Sequence, residues 1–133
     1  MRAACAVLPT ALALTATAAV AQTDLMFVTS AKGTGNLSSW SQAEGLHGIA
    51  AGNHICQKLA ETAGLASFAT FQAWLSDAST DAACNIKARS GHPPTCGSFT
   101  INNPGPWVRK DGAPFARSVA SLTAGAFVIS GRH

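Results

Sequence analysis

The N-terminal stretch MRAACAVLPTALALTATAAVAQ constrains the fold most, because it indicates the compartment in which the chain folds. A single basic residue, Arg2, precedes an apolar run that ends in Ala-Val-Ala. The small residues Ala19 and Ala21 fit the rule for signal-peptidase cleavage, so we expect cleavage after Ala21. No basic cluster follows the run, and we expect no membrane span in the mature chain. The sequence therefore predicts a signal peptide at 1–21 and one secreted, periplasmic or cell-surface domain at 22–133.

The charge pattern argues against one class of partner. The chain of 133 residues has a formal net charge of +3, contains no tyrosine, and has no basic cluster. Nucleic-acid-binding domains concentrate Lys and Arg on one face, so we expect no nucleic-acid partner. A domain this small buries a limited share of its surface and benefits from covalent cross-links.

The cysteines predict one such cross-link. Cleavage would remove Cys5 and leave Cys56, Cys84 and Cys96. An exported chain meets oxidising conditions, and Cys84 and Cys96 flank the loop NIKARSGHPPT, whose glycine and prolines allow it to double back. We predict that these two cysteines pair. The odd count leaves Cys56 either as a free thiol or as a site of pairing between chains.

Hydrophobic periodicity predicts a mixture of helix and strand. Apolar residues recur at helical intervals from Ile49 to Ala63, and Gly64 then supplies a stop, which predicts a helix at 49–63 with Cys56 on its apolar face. The other predicted elements are short: strands at 26–30 and 71–77, a strand at 107–109 that returns through a Lys-Asp-Gly turn to 113–115, a helical turn at 118–122 and an extended piece at 126–129. This mixture indicates an α+β domain with long loops.

Residues that could carry chemistry are few. The spacing of His47, His54 and His92 does not match metal-ligand patterns, so we expect no metal ion and no cofactor. Carboxylates near predicted loops leave a small exported hydrolase open as an alternative function, but each of them also occupies a position where Asp favours turns: Asp77, Asp81 and Asp111. Among the aromatic residues, Trp74 lies opposite the apolar face of its predicted strand and either covers a second layer or is exposed.

Three landmarks in order carry a family resemblance. They are MFVTS followed by a Gly-Asn-Leu turn, the segment GIAAGNHICQKLAETAGLASFATFQAWLSDAST, and GPWVRKDGAPFARSVASLTAG. Together they cover most of residues 25–125. The chain resembles the endostatin domain of collagen and, more closely, a family of bacterial exported endostatin-like proteins.

The resemblance implies a C-type-lectin-like α+β fold, with one main helix packed on a small antiparallel sheet that has long loops. It implies a non-enzymatic binding module, since some bacterial members are surface adhesins for matrix or plasma proteins, and it implies no catalytic residues. For such a module we expect the ligand to be an extracellular protein or a glycan bound on the long loops, and we predict contributions from Trp40, Trp74 and Arg89. The calcium motifs of sugar-binding lectins are absent from the sequence.

The chain also departs from the family pattern. Family members continue past the Leu-Thr-x-Gly landmark with further strands and late cysteines, whereas this chain ends at AFVISGRH. Cys56 resembles a helical cysteine whose partner is one of those late cysteines. We therefore expect a domain that is incomplete at its C-terminus, and a non-functional fragment is a further alternative.

Overall fold

A small mixed sheet and one long helix organise the chain. The computed structural model describes residues 23–97 and 105–126, and its architecture is α+β. The elements of these two segments are β1 (Asp24–Met26), two 3-10 turns (Leu37–Ser39 and Ser41–Ala43), α1 (Gly48–Thr62), a third 3-10 turn (Phe68–Thr70), α2 (Ala82–Asn85), β2 (Trp107–Arg109), β3 (Pro114–Ala116) and α3 (Val119–Thr123). The α+β class predicted from the sequence is confirmed.

The helix α1 confirms the strongest periodic signal in the sequence to within one residue. It ends as predicted before Gly64, whose N–H donates to the carbonyl of Glu61. Gly52 lies in its interior, where glycine normally costs stability. A Cβ at Gly52 would overlap the side chain of Leu75, so the missing side chain lets the following chain segment approach the helix closely.

The core beside α1 is built mainly from small residues. Ala43, Ala51 and Ile55 are buried together, with Leu37, Trp40 and Leu59 packed around them. Most of the other buried apolar residues of the described segments are also alanines. Small side chains remove little apolar area from water, so the hydrophobic contribution per residue is low.

The sheet has the order β1-β2-β3 and is mixed, whereas the sequence predicted an antiparallel sheet. β2 and β3 form the expected antiparallel hairpin, but β1 runs parallel to β2, with Asp24 opposite Trp107 and Met26 opposite Arg109. The strand predicted at 26–30 is therefore wrong in position. Strand pairing stops at Met26 because β2 ends at Arg109, where the chain turns back.

The strand predicted at 71–77 is also wrong, because side chains rather than a neighbouring strand bind its backbone. The Asn53 side chain accepts a hydrogen bond from the Ala73 N–H (2.8 Å), and the Asn85 side chain donates to the Ala73 carbonyl (2.7 Å). The two carboxamides also bond to each other, at 3.0 and 2.8 Å. Gln57 donates to the Phe71 carbonyl (3.1 Å). The segment is held against α1 without entering a sheet.

The C-terminal landmark folds as the sequence predicted. The hairpin turns through residues 110–112, where Gly112 adopts a positive φ of 79° and donates its N–H to the carbonyl of Arg109. Ser118 caps α3 by accepting a hydrogen bond from the Ser121 N–H. The extended piece predicted at 126–129 lies, beyond residue 126, outside the described residues, and the predicted signal peptide lies outside them entirely.

The predicted disulfide between Cys84 and Cys96 is present. Their Cα atoms are 5.6 Å apart, and Cys84 is fully buried in α2. Cys56 has no disulfide partner among the described residues. None of the helices in residues 23–97 and 105–126 has the length and hydropathy that a membrane crossing requires.

Replacing Asn85 tests the carboxamide network. Asn85 is only 4% exposed, and Asn85→Ala should remove both hydrogen bonds between the carboxamides and the one from Asn85 to the Ala73 carbonyl. We expect a loss of about 2–3 kcal/mol in the free energy of unfolding, measured by urea denaturation. The control Asn36→Ala, at an exposed position, should change it by less than about 0.5 kcal/mol. Equal effects for the two variants would contradict the role given to the network.

Removing the disulfide tests the second constraint. We expect the double variant Cys84→Ser, Cys96→Ser to lose about 3 kcal/mol in the free energy of unfolding, because the unfolded chain gains the entropy of an open loop. The control Cys56→Ala breaks no covalent bond and should cost less than about 1 kcal/mol. A double variant as stable as this control would show that the cross-link contributes little.

Candidate ligand-binding groove

An open groove of about 1010 Å³ lies where three parts of the chain meet. One wall is formed by residues 26–31, which follow β1, and a second by the end of α1 with the turn after it, including Leu59 and Leu65. The β2–β3 hairpin closes the third side with Phe115 and residues 109–111. We refer to this surface as the groove.

The interior of the groove is apolar. Met26, Leu59, Leu65 and Phe115 line it and are partly buried. Phe27 holds the first wall in place, because its ring meets the ring of Phe71 edge-on with centroids 5.2 Å apart. This edge-on geometry is favourable for two aromatic rings. It holds Phe27 against residues 71–77, the segment that side chains of α1 bind.

Val28 stands at the lip of the groove and is 87% exposed. A single exposed apolar residue is common on protein surfaces. Here it adjoins an apolar concave surface, which is the arrangement that marks interaction sites.

The backbone of the first wall is open. Within the described residues, Phe27, Val28 and Ser30 make no backbone hydrogen bond, and the side-chain hydroxyl of Thr29 accepts one from the Ala31 N–H. β1 is an edge strand of the sheet, and residues 27–30 follow it beyond the point where β2 stops pairing with it.

The hairpin places charge on the rim. The Arg109 guanidinium pairs with the Asp111 carboxylate at 2.5 Å, and Asp111 also accepts the Ala113 N–H at 3.1 Å. Lys110 lies between them, is exposed, and makes no ion pair with any described residue. Among the described residues that line the groove, Asp111 is the only acidic one, against the two cations Arg109 and Lys110, so this part of the rim has an excess of positive charge.

The three binding residues that we predicted from the sequence, Trp40, Trp74 and Arg89, do not line the groove, and no hydrogen bond or ion pair within the described residues joins them. Trp40 packs beside the alanine core, and its indole N–H donates to the Thr34 carbonyl at 3.1 Å. Trp74 is 48% exposed on the segment held by α1, so its side chain covers no second layer. Arg89 is exposed near the disulfide, with its guanidinium 3.5 Å from the Cys96 carbonyl oxygen.

The sequence did not predict the groove, although it did indicate the chain segments that form two of its walls. The segment at 26–30 and the Lys-Asp-Gly turn were both identified, but as separate elements. Their proximity follows from the parallel pairing of β1 with β2, which no local signal indicates.

The aspartates considered for hydrolysis are engaged in local structure. Asp77 accepts hydrogen bonds from the N–H and hydroxyl of Ser79 and from the Thr80 N–H, at 2.8, 2.8 and 2.9 Å. Asp81 lies 3.1 Å from the His92 ring, and Asp111 is paired on the hairpin. The backbone hydrogen bond from Ser79, followed by its hydroxyl, lowers the pKa of Asp77 below its ordinary value. A general acid at neutral pH requires the opposite shift.

Neither thiol nor metal chemistry finds support in the described residues. Cys56 is partly buried, and burial raises the pKa of its thiol, which disfavours the reactive thiolate. Within residues 23–97 and 105–126, no three His, Cys, Asp or Glu side chains form a group that could hold a metal ion.

Comparisons with known proteins add no family assignment. The chain matches no protein-family model, no curated protein and no solved structure. What the structure defines is the class: a disulfide-containing α+β domain with a small mixed sheet.

The Asp77 turn provides a pH test. We expect the Asp77 carboxyl to titrate below the ordinary range of aspartate when followed by NMR, because its ionised form accepts the hydrogen bonds from Ser79 and Thr80. Ser79→Ala removes the hydroxyl donor and should raise that pKa.

The same shift fixes the pH dependence of stability. A lowered native pKa means that the ionised carboxylate stabilises the native state above the pKa of the unfolded chain, and that this stability is lost as the pH falls through the native pKa. Asp77→Asn should therefore destabilise the protein at pH 7 and have less effect in acid. A native pKa above the ordinary value would contradict the structural role of Asp77 and favour the hydrolase alternative.

Proposed function

We propose that this chain is an exported, non-enzymatic binding module and that the groove is the surface on which it binds a protein ligand. The observation that carries the proposal is an apolar concave surface, open to solvent, in a domain whose own core is built mainly from alanine. Apolar residues such as Leu65 and Phe115 would contribute more to this domain's stability if they were fully covered. A ligand can provide that cover.

The chemistry of the groove favours binding over catalysis. Its interior carries aliphatic and phenylalanine side chains, and the ionisable groups among its described lining residues are the three on the hairpin rim. Two of these, Arg109 and Asp111, neutralise each other. No nucleophile–base pair faces the groove among the residues that line it, and such a pair is the usual sign of covalent or acid–base catalysis.

The same chemistry favours a protein over a glycan. Protein interfaces combine an apolar centre with a polar rim, and the groove has this pattern, with Leu59 and Phe115 inside and hydroxyl and charged groups around them. A sugar ring presents hydroxyl groups that need hydrogen-bonding partners. The groove interior offers few of these, because the polar side chains Thr29, Ser30 and Thr62 lie among a larger apolar set.

Export and fold family belong to the same proposal. The Cys84–Cys96 disulfide supports folding in an oxidising compartment, in agreement with the signal-peptide pattern of residues 1–21. The α+β class and the single long helix are compatible with the C-type-lectin-like fold that the resemblance to exported endostatin-like proteins implies. An adhesin-type ligand, such as an extracellular matrix or plasma protein, would suit both.

A panel assay with two variants tests the proposal. The immobilised protein is exposed to purified matrix and plasma proteins and to a glycan array. We expect at least one protein to bind, and Val28→Asp to weaken that binding about tenfold or more by placing a carboxylate on the apolar lip. Val28 is so exposed that its replacement should leave the fold intact, which circular dichroism would check.

Trp74→Ala supplies the matched control. Trp74 is an exposed apolar residue of larger size that does not line the groove, so its loss should leave binding unchanged. If Trp74→Ala abolishes binding and Val28→Asp does not, the binding surface lies on the segment over α1, and the groove is the wrong site. Binding to glycans alone would overturn the choice of a protein ligand.

A further inference from the structure

We propose that the groove takes an extended, carboxylate-bearing peptide segment of another protein, which adds as a strand along residues 27–30 and places an acidic side chain against Lys110. The inference rests on the proposed function, since it identifies the chemistry of the ligand for that surface. It draws on three features of the molecule: the open edge, the apolar interior and the charge of the rim.

The open edge supplies the hydrogen-bonding partner. β1 pairs with β2 on one side only, and pairing ends where Met26 faces Arg109. Beyond that point the backbone groups of Phe27, Val28 and Ser30 bond to no described residue. Unpaired backbone next to an edge strand can accept an added strand, because each new backbone hydrogen bond replaces one to water.

The size of the groove suits an extended chain. The wall formed by residues 26–31 spans about 20 Å if extended, at about 3.3 Å per residue. Side chains of an added strand alternate between two faces, so every second one would face Leu59, Leu65 and Phe115. The structure therefore favours a peptide in which apolar residues alternate with polar ones.

The rim selects the charge of that peptide. Arg109 is neutralised by Asp111, which leaves Lys110 as an exposed cation without a described ion-pair partner. A carboxylate on the peptide would complement it. A second copy of this chain fits less well, because it would bring the same basic rim and a second positive net charge, +2 from 8 basic and 6 acidic residues once residues 1–21 are removed.

Selection from a phage-displayed library of random peptides on the immobilised full chain tests the inference. We expect enriched sequences in which apolar residues alternate around an Asp or Glu. A synthetic peptide of the consensus sequence should bind, and N-methylation of its central backbone amides should remove binding, because the added strand needs those donors. Enriched peptides with helical spacing, or a consensus peptide indifferent to N-methylation, would overturn the strand-addition geometry.

Charge reversal tests the role of Lys110. Lys110→Glu should weaken the consensus peptide about fivefold, the size expected for an exposed ion pair. Replacing the acid of the peptide by Lys should weaken binding to the natural chain and restore it to Lys110→Glu. The matched control is Lys32→Glu, an exposed lysine that does not line the groove. Equal effects of the two substitutions would overturn the assignment of the carboxylate to Lys110.

The outcomes separate this inference from the proposed function. If a panel protein binds in a manner sensitive to Val28→Asp but no peptide is enriched, the groove is a binding surface and the extended occupant is wrong. If neither a protein nor a peptide binds in that manner, both proposals fail. Sedimentation equilibrium that shows a dimer lost in Val28→Asp would identify a second copy as the occupant and would also overturn the peptide.

Discussion

The paired carboxamides of Asn53 and Asn85 are the interaction on which the rest of the fold depends. They bond to each other and to both backbone groups of Ala73, so one largely buried cluster, with Asn53 partly and Asn85 fully buried, joins α1, α2 and the extended segment between them. A fully satisfied polar network in a low-dielectric interior specifies one arrangement strongly, because any displacement leaves buried groups unpaired. Large interlocking side chains usually fix the relative positions of elements in a core. In this core of alanines, the directional hydrogen bonds of the carboxamides fix those positions instead.

Local signals predicted those parts of the fold that local interactions decide. The helix at 49–63 was visible because its apolar residues and its glycine stop lie within one stretch of chain. The hairpin was visible because its turn chemistry lies between its two strands, and the disulfide because a short loop with a glycine and prolines separates Cys84 from Cys96. In each case the partner is close in sequence.

The segments at 26–30 and 71–77 show why the rest could not be predicted. Alternating apolar residues indicate an extended chain but do not say what its backbone binds. At Ala73 the partners are side chains of α1 and α2, and beyond Met26 there is no partner among the described residues. The parallel partner of β1 lies near the other end of the chain, and no periodicity encodes that pairing.

The dependence on tertiary structure also explains why the binding residues predicted from the sequence are not the residues of the groove. Trp40, Trp74 and Arg89 were chosen because their residue types suit binding, but burial and position depend on tertiary structure. The indole of Trp40 packs against the alanine core, and Trp74 lies outside the groove. The residues of the groove have ordinary types, and only their juxtaposition across β1, α1 and the hairpin makes them a candidate surface.

The hairpin connects the fold to the proposed activity. β2 must end at Arg109 for the tight turn to form, and that ending deprives residues 27–30 of a neighbour. An open edge carries a risk of indiscriminate pairing, which proteins often reduce with lysine and other charged residues nearby. Lys110 lies at the rim. In the proposed binding mode it would repel a second basic chain while attracting a carboxylate. One turn therefore leaves residues 27–30 without a neighbouring strand and, in the proposed binding mode, sets the charge of the strand that adds there.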